Sequence, residues 1–377
     1  MDPVLIVGGG IVGLTLGQAL KQRNIPFEIY ERDLHPDSRG QGWAITLHWA
    51  LQYIQALLPG ETLQRIQDAT ARTPIFKIPP SKRWRVNRDK MRKALLAGIE
   101  EHVHWGKRVD GVSFTDDGRP QLLFRSGEED YVAGKLVVGI EGSRSSVRSI
   151  LRPDAYHNVQ LPVRFVGVAV DLTAEEVAPL RDMDPLLFQG CHPETGVFLW
   201  FSILETPANN ANGLWRVQIN LSWPAKTAED EVPSTDEESL ANMKKRAAGF
   251  VPFLYETIQR IPDGTPVLEI DLADWECLPW DNRDGRVTLA GDAAHAMGIY
   301  RGEAANHGLL DIFHLVEAIA NIYAGGDQKA AIDKYESEMR ERTAPAVRLS
   351  RQACIEAHAW EQLKEGCAVL SRRKIAL

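Results

Sequence analysis

The stretch that decides the fold reads Val4-Leu5-Ile6-Val7-Gly8-Gly9-Gly10-Ile11-Val12-Gly13, continues as an apolar-periodic run to Arg23, and ends in Ile25-Pro26-Phe27-Glu28-Ile29-Tyr30-Glu31-Arg32. A short apolar run bounded by glycines is typical of a buried strand. The apolar spacing that follows the glycines fits one helix packed on that strand. The stretch therefore predicts a strand, a tight turn, a helix and a second strand.

The glycines of this stretch have the spacing of a dinucleotide-binding turn. Gly8, Gly10 and Gly13 fit the pattern G-x-G-x-x-G, in which absent side chains permit the turn, the close approach of a pyrophosphate and close helix packing. The helix that begins near Ile11 would direct its N-terminus at the negative charge. Glu31 ends the second strand, where a carboxylate accepts hydrogen bonds from ribose hydroxyls. The alternative is a glycine-rich turn followed by a solvent-facing glutamate.

Composition limits the class of protein. The chain has 377 residues, more than one core usually holds, so we expect two domains that share a cleft. The net charge of −8 argues against nucleic acid or an anionic membrane as partner. The four cysteines form no C-x-x-C pair, which predicts neither a metal site nor a disulfide framework. Without a signal peptide or an apolar run of about 18 residues, we expect a cytoplasmic protein.

Two arginines follow the first unit in contexts that suit an anionic ligand. One is in the run Arg39-Gly40-Gln41-Gly42-Trp43-Ala44, where glycines would present backbone and a guanidinium to an anionic or planar ligand. The other, Arg88, stands where a helix begins, with Asn87 or Asp89 as its cap. A salt-bridged loop arginine and a surface charge are the respective alternatives.

The rest of the chain predicts an α/β protein with a second domain. We expect a doubly wound, Rossmann-like parallel sheet, a second domain built on a large, mostly antiparallel sheet, and a C-terminal helix. The expected divisions are 1–75 and 76–160 (nucleotide-binding, the latter with a small β insert over 108–124), 161–276 (substrate-binding sheet), 277–325 (nucleotide-binding) and 326–377 (helical). Apolar spacing predicts helices over 49–58 and 307–323, and the acidic run 229–238 predicts a solvated connector.

Three separated motifs resemble one enzyme family. They are Gly8-x-Gly10-x-x-Gly13 with Glu31-Arg32, then Val138-Gly139-Ile140-Glu141-Gly142 with Ser145 and Val147-Arg148, and finally Gly291-Asp292-Ala293-Ala294-His295 through Asn306 to Asp311. In this order they resemble the single-component FAD-dependent monooxygenases of the aromatic-hydroxylase type (group A), and among these the fungal members of secondary metabolism. The resemblance implies the glutathione-reductase type of FAD-binding fold.

The resemblance also implies where FAD is bound. Glu31 would hold the ribose, Arg39 and Arg88 would lie along the pyrophosphate and ribityl chain, and Asp292 would hold ribityl hydroxyls. The backbone after Gly302 would cradle the isoalloxazine ring. For Asp292 the alternative is a helix N-cap. The full implied set is Gly8, Gly10, Ile11, Val12, Gly13, Glu31, Arg32, Arg39, Gln41, Ala44, Arg88, Glu141, Asp292, Gly302, Ala304, Ala305 and Asn306.

The implied activity is oxygen insertion. Enzymes that this chain resembles reduce FAD with NADPH or NADH, add O2 to give a flavin hydroperoxide, and transfer one oxygen atom to a small molecule. The expected substrate is an apolar polycyclic, aromatic or indolic metabolite, and the expected assembly is a monomer or homodimer. His295, Tyr300 and Arg301 would flank the ring edge as candidates for proton transfer or substrate orientation, or serve structure alone.

Two departures from the family pattern keep other hypotheses open. Glu141 stands where aspartate is usual, and Ala304-Ala305 stand where a glycine is usual. If a backbone φ there had to be positive, alanine would cost on the order of 1 kcal/mol. One alternative is therefore a non-redox cyclase or isomerase of the same fold, with FAD structural or lost. Another is an FAD-binding protein without catalysis.

Overall fold

The computed structural model describes residues 1–38, 43–69, 84–125 and 131–371. Arg39 and Gln41, both predicted to contact FAD, lie outside the described residues. The strands are β1 Val4–Val7, β2 Phe27–Glu31, β3 Ala44–Leu47, β4 Trp84–Asn87, β5 Val103–Trp105, β6 Val109–Phe114, β7 Pro120–Phe124, β8 Tyr131–Ala133, β9 Leu136–Gly139, β10 Val159–Gln160, β11 Val163–Leu172, β12 Leu187–Cys191, β13 Phe198–Glu205, β14 Trp215–Pro224, β15 Leu268–Glu269, β16 Ala273–Asp274 and β17 Val287–Leu289. The α-helices are α1 Ile11–Gln22, α2 Leu51–Leu57, α3 Gly60–Asp68, α4 Arg88–Leu96, α5 Ser146–Leu151, α6 Ala174–Met183, α7 Asp236–Arg246, α8 Pro252–Gln259, α9 Asp292–His295, α10 Ala304–Tyr323 and α11 Gln328–Ala357.

A parallel sheet of five strands organises the nucleotide-binding part. Its order is β17-β9-β1-β2-β5, and every neighbouring pair is parallel. Val7 at the end of β1 lies between Tyr30 of β2 and Gly139 of β9. Because parallel strands end at one edge, the segments after Val7, Tyr30, Gly139 and Leu289 converge there, where open α/β sheets bind ligands. The predicted α/β class with a doubly wound sheet is confirmed.

A second, antiparallel sheet has the order β12-β13-β14-β11-β15. Alternate residues point to opposite faces. One face is apolar and packs on α6, α7 and α8, with Ile219 of β14 among its buried members. The other face carries a buried polar row on β14, made of Gln218, Asn220 and Ser222. The predicted antiparallel sheet is therefore confirmed, and its two faces differ in chemistry.

Smaller units complete the architecture. β6, β7 and β8 form an antiparallel sheet where the insert was predicted, β3 pairs with β4, and β10 pairs with β16. Helix α10 packs against α1 and α11. Within the described parts of the chain, no helix has both the length and the apolar character needed to cross a membrane.

The prediction of a connector over 229–238 was wrong for its last three residues, which are helical. Helix α7 begins at Asp236, and the Thr235 side chain caps it by accepting a hydrogen bond from the Glu238 N–H. Acidic side chains in a first turn are stabilised by the positive end of the helix dipole, so this acidic run begins a helix. The helix predicted over 307–323 begins at Ala304. The predicted cap of α4 is confirmed, because the Asn87 side chain accepts from the N–H groups of Asp89 and Lys90.

Candidate functional site

The turn between β1 and α1 is closed on one side and open on the other. Gly8 has φ +112°, and a Cβ there would lie 2.8 Å from the carbonyl oxygen of Ile140. A Cβ on Gly13 would lie 2.0 Å from the Gly8 carbonyl oxygen, so helix and turn touch here. A Cβ on Gly10 would meet no atom within 4 Å. The turn therefore packs at Gly8 and Gly13 and leaves space at Gly10.

The space beside Gly10 suits an anion. Gly10 is the N-cap of the 12-residue α1 and has no side chain to cap it, so the N–H groups of the first turn, at Ile11 and Val12, lie at an uncapped helix start. Such N–H groups and the helix dipole favour a phosphate. The turn thus fits the pyrophosphate of a dinucleotide.

Glu31 is buried at the end of β2, directly beside this turn. Its Oε2 accepts from the Gly9 N–H at 2.7 Å, and its Oε1 accepts from the Asp33 N–H at 3.0 Å. The carboxylate thus lies at the end of the second strand beside the turn, where a dinucleotide-binding βαβ unit holds a ribose. Arg32, the next residue, is exposed.

Arg92 fixes the turn from the side of α4, and sequence reasoning missed it. Its Nε donates to the Gly9 carbonyl at 2.9 Å and its Nη1 donates to the Pro36 carbonyl at 2.7 Å. The guanidinium lies 5.2 Å from the ring centre of Trp105. Arg92 follows Arg88 by one helical turn and so lies on the same face of α4, a spacing that could have identified it.

Arg88 and Asp292 approach each other from different parts of the chain. Arg88 begins α4, and its N–H donates to the Trp43 carbonyl at 2.9 Å. Asp292 begins α9. Its side chain is solvent-accessible, but it lies in a densely packed part of the protein. This enclosure raises the pKa of Asp292, while the charges of His295, Arg88 and Arg148 act to lower it. An exposed carboxyl at this edge of the sheet is placed to accept hydrogen bonds from a polyhydroxylated chain.

A buried network of hydrogen bonds and ion pairs around Asp311 fixes the turn that leads into α9. Asp311 Oδ2 accepts from the Gly291 N–H at 2.8 Å and lies 2.6 Å from His295 Nε2, while Oδ1 accepts from Arg342 Nη2 at 2.8 Å. Burial acts to raise the pKa of Asp311, but His295 and Arg342 outweigh it and hold the pKa below its usual range. The carboxylate thus stays charged and ties the turn at Gly291 to α10 and α11.

The segment that begins α10 closes the site on its other side. Gly302 has φ +61°. Asn306 Nδ2 donates to the Thr46 carbonyl at 3.0 Å, and Asn306 Oδ1 accepts from the His48 N–H at 3.0 Å. Ala304 and Ala305 form the first turn of the helix. The left-handed conformation thus falls on Gly302, and the strain considered for the two alanines does not arise.

The Glu141 side chain turns toward the start of α5, the helix that follows it. Its Oε1 accepts from the Val147 N–H at 2.8 Å and from Ser146 Oγ at 3.1 Å. Its Oε2 is buried and has no protein partner in the described chain, and burial raises the pKa of this carboxyl. Arg148 of the same helix is buried and donates to the Ala293 carbonyl at 3.3 Å. The middle motif therefore supports α5 and α9, and a contact of Glu141 with FAD stays a prediction.

The three predicted catalytic side chains are buried, and each contacts another polar side chain. His295 contacts Asp311, as described above, and its Nδ1 has no partner among the described residues. Tyr300 Oη donates to Ser222 Oγ at 2.9 Å. Arg301 Nε lies 2.7 Å from Glu303 Oε2, and Arg301 also donates to the Ala368 carbonyl. These contacts favour a positioning role, and a catalytic role stays a prediction.

A cavity of about 190 Å³ lies between the paired strands β3 and β4, the segment that leads into α10, and the antiparallel sheet. On one side it is bounded by Ala44 of β3 and by the segment of Gly302, Ala304 and Ala305. On the other side lies the polar face of the antiparallel sheet. Members of that wall and of the adjoining loops are Trp43, Phe165, Leu187, Gln189, Trp200, Gln218, Asn220, Ile270 and Ile299, and Arg85 of β4 also lines the cavity. The cavity thus contacts both the segment expected at a flavin ring and the expected substrate domain.

Comparison with known proteins identifies the class of enzyme. The family model described as FAD binding domain matches residues 78–350. The FAD-dependent monooxygenase dbaB of Emericella nidulans is 39% identical over 376 residues, 93% of this chain and 95% of that protein. The FAD-dependent monooxygenase tazP of Aspergillus terreus is 30% identical over 84% of this chain and 89% of its own length.

A solved structure agrees on the fold. Klebsiella pneumoniae HpxO complexed with FAD and uric acid has a TM-score of 0.74 and 19% identity, and the match covers 94% of this chain and 89% of that one. This chain belongs to the FAD binding domain family, and it is an FAD-dependent monooxygenase, an oxidoreductase. The space at Gly10, the open carboxyl of Asp292 and the left-handed Gly302 fit the cofactor that this family binds.

Proposed function

We propose that this enzyme uses NADPH or NADH and O2 to insert one oxygen atom into an apolar polycyclic, aromatic or indolic small molecule. The observation that carries the proposal is the cavity itself. It is lined on one side by Gly302, Ala304 and Ala305 and on the other by aromatic side chains such as Phe165 and Trp200. A planar substrate would fit between these walls, against the flavin ring. Residues 161–276 are then the proposed substrate-binding part.

Each group of residues has a defined task in this proposal. Bound FAD would supply electron transfer from the nicotinamide and the activation of dioxygen. The first turn of α1 and Glu31 would hold its ADP half, and Arg88 with Asp292 would hold the chain that leads to the ring. The start of α10, at Ala304, would direct the positive end of a 20-residue helix at the ring, where it stabilises negative charge. The apolar wall would exclude water.

The main argument for the non-redox alternative no longer applies. It arose because alanines replace a glycine before Asn306, and they would be strained if their φ were positive. Ala304 and Ala305 begin an α-helix, and Gly302 carries the positive φ. The backbone at the expected ring position therefore tolerates both alanines.

The test is a spectrum followed by reduction. The purified protein should show the visible absorbance of bound flavin, and anaerobic NADPH or NADH should bleach it, with recovery when air is admitted. Because many enzymes that this chain resembles are reduced quickly only when substrate is present, the experiment is repeated with a panel of phenols, naphthols and indoles. Glu31→Ala, prepared in parallel, serves as a flavin-poor control for nicotinamide oxidation that does not depend on FAD. A bound flavin that neither nicotinamide reduces with any member of the panel would refute the proposal.

A further inference from the structure

Arg85 is a buried cation in the wall of the cavity. It lies on β4, where its backbone pairs with Thr46 of β3, and its side chain reaches the antiparallel sheet. Nη1 donates to Thr46 Oγ1 and Nη2 donates to Ser202 Oγ, both at 2.8 Å. The residue is only 5% exposed. The guanidinium therefore bridges the two parts of the protein that enclose the cavity.

The charge of Arg85 has no counter-ion in the described chain. Both of its hydrogen-bond partners are neutral hydroxyls, its guanidinium carbon lies 6.0 Å from the ring centre of Trp200, and its buried Nε has no hydrogen-bond partner there. Burial lowers the pKa of Arg85 to about 9, so the side chain is still charged at neutral pH. Two other buried arginines are paired with carboxylates, whereas Arg148 donates to carbonyl and amide oxygens. Arg92 Nη2 lies 3.7 Å from Asp33 Oδ2, and Arg301 lies 2.7 Å from Glu303.

An isolated buried charge is costly unless something pairs with it. A ligand that supplied the missing partner would offset this cost, and the lining of the cavity indicates what chemistry that ligand would need. Trp200 Nε1 is a second buried donor without a described partner, and Gln218 Oε1 is a buried acceptor without one. Ser202, which holds Arg85, pairs across the strands with Gln218. Unsatisfied donors and one acceptor thus line the same wall.

The geometry points to Arg85 as the anchor of an oxyanion carried by an aromatic substrate. An aryl carboxylate or an ionised phenol would accept from Arg85 Nε, and a neighbouring hydroxyl would donate to Gln218 Oε1. The aromatic body would lie against Trp43 and Phe165. This inference rests on the proposed function in taking the cavity as the substrate site, and it adds that the substrate binds as an anion.

The experiment compares ligands that differ in one charge. 3-Hydroxy-2-naphthoate and 2-naphthol share a ring system and a hydroxyl, and only the former carries a carboxylate. Their dissociation constants are measured by equilibrium dialysis with the FAD-loaded protein at pH 7, without nicotinamide. Because ion-paired hydrogen bonds are the stronger class, we expect the naphthoate to bind at least tenfold more tightly. 2,4-Dinitrophenolate, an anion without a carboxylate, shows whether an ionised phenol is accepted as well.

Variants assign the preference to Arg85. Arg85→Met removes the charge at similar length and should reduce the ratio between the two ligands to less than about threefold, whereas Arg85→Lys should retain part of it. The matched control Arg125→Met removes one exposed charge, from the Arg125–Asp110 pair on the small β6-β7-β8 sheet, and should leave the ratio unchanged. Thermal unfolding and flavin content are recorded for each variant, because only folded, FAD-loaded protein is compared.

Two results would overturn the inference. One is equal binding of naphthoate and naphthol by the unsubstituted protein, and the other is a ratio that survives in Arg85→Met. Neither result bears on oxygenation, because no turnover is measured. Conversely, a flavin that nicotinamide never reduces would refute the proposed function, but the preference for the anionic ligand could still be measured. The two proposals therefore fail separately.

Discussion

The buried histidine at the end of α11 predicts a specific loss of stability in mild acid. His358 Nδ1 donates to the Cys354 carbonyl at 2.7 Å, so in the neutral ring Nε2 is the acceptor. Ser222 Oγ donates to Nε2 at 2.9 Å and itself accepts from Tyr300 Oη at 2.9 Å. The chain of hydroxyls thus requires neutral His358. Burial lowers its pKa from 6.5 to about 4.

The sign and size follow from linkage. The folded-state pKa of His358 lies below the unfolded value, so its stabilising contribution is present above pH 6.5 and is lost as the pH falls toward 4. The full shift corresponds to about 3 kcal/mol, and the part lost between pH 7.5 and pH 5 is about 2 kcal/mol.

The assay is urea unfolding with excess FAD at both pH values. His358→Gln keeps a donor and an acceptor but does not titrate, so its free energy of unfolding should fall by about 2 kcal/mol less between pH 7.5 and pH 5 than that of the unsubstituted protein. His314→Gln makes the same substitution at a half-exposed histidine and controls for the replacement of an imidazole as such. If His358→Gln and the unsubstituted protein lose stability equally, the hydroxyl network does not hold a neutral imidazole and the reasoning is wrong.

Three further predictions concern the cofactor site. Glu31→Ala and Asp292→Ala should each weaken FAD binding about tenfold or more, measured as flavin retained after dialysis, and full retention by both would contradict the placement of FAD. Asn306→Ala should lower the free energy of unfolding by about 1–3 kcal/mol in urea titration, because its part-buried hydrogen bonds with His48 and Thr46 are lost, and an unchanged value would show that these bonds contribute nothing. Gly142→Ala should lower the free energy of unfolding by about 1 kcal/mol, because φ is +86° but a Cβ there has open space. Gly8→Ala should lower it by about 1–3 kcal/mol more, because its Cβ would also clash with backbone. Equal melting temperatures of these two variants would contradict this comparison.

The parallel sheet and its turn were predictable because their causes are local. Strand β1 is a run of buried apolar residues, and Gly8 and Gly13 are needed for contacts made within a few residues or with the adjacent strand. Glu31 follows for the same reason, since a βαβ unit fixes its distance from the turn. Helix α7 was missed because a run of acids was interpreted by its charge alone, although Thr235 before it is a good N-cap.

The candidate catalytic residues show where this reasoning ends. His295, Tyr300 and Arg301 follow Asp292 closely in sequence, which suggested that they flank the same ligand. Their direction depends on partners far along the chain, because Tyr300 contacts Ser222 at a separation of 78 residues and Arg301 contacts Ser371 at 70. Sequence proximity to the Asp292 motif suggested which ligand these side chains would lie near, but it could not predict their orientation.

Arg85 is the opposite case, since its neighbourhood was unpredictable but its orientation was not. It alternates with apolar Val86 on a short strand, which places the two on opposite faces. Its hydrogen-bond partner Ser202 is 117 residues away in sequence and lies on the antiparallel sheet. On that sheet the face toward α6 to α8 is apolar, whereas the opposite face buries Ser202, Gln218 and Asn220. A sheet that needed only a core would bury apolar residues on both faces, because buried polar atoms without partners reduce stability. Gln218 Oε1 on this face and Arg85 Nε against it have no partner among the described residues, so a polar ligand that pairs with both would stabilise this side of the cavity.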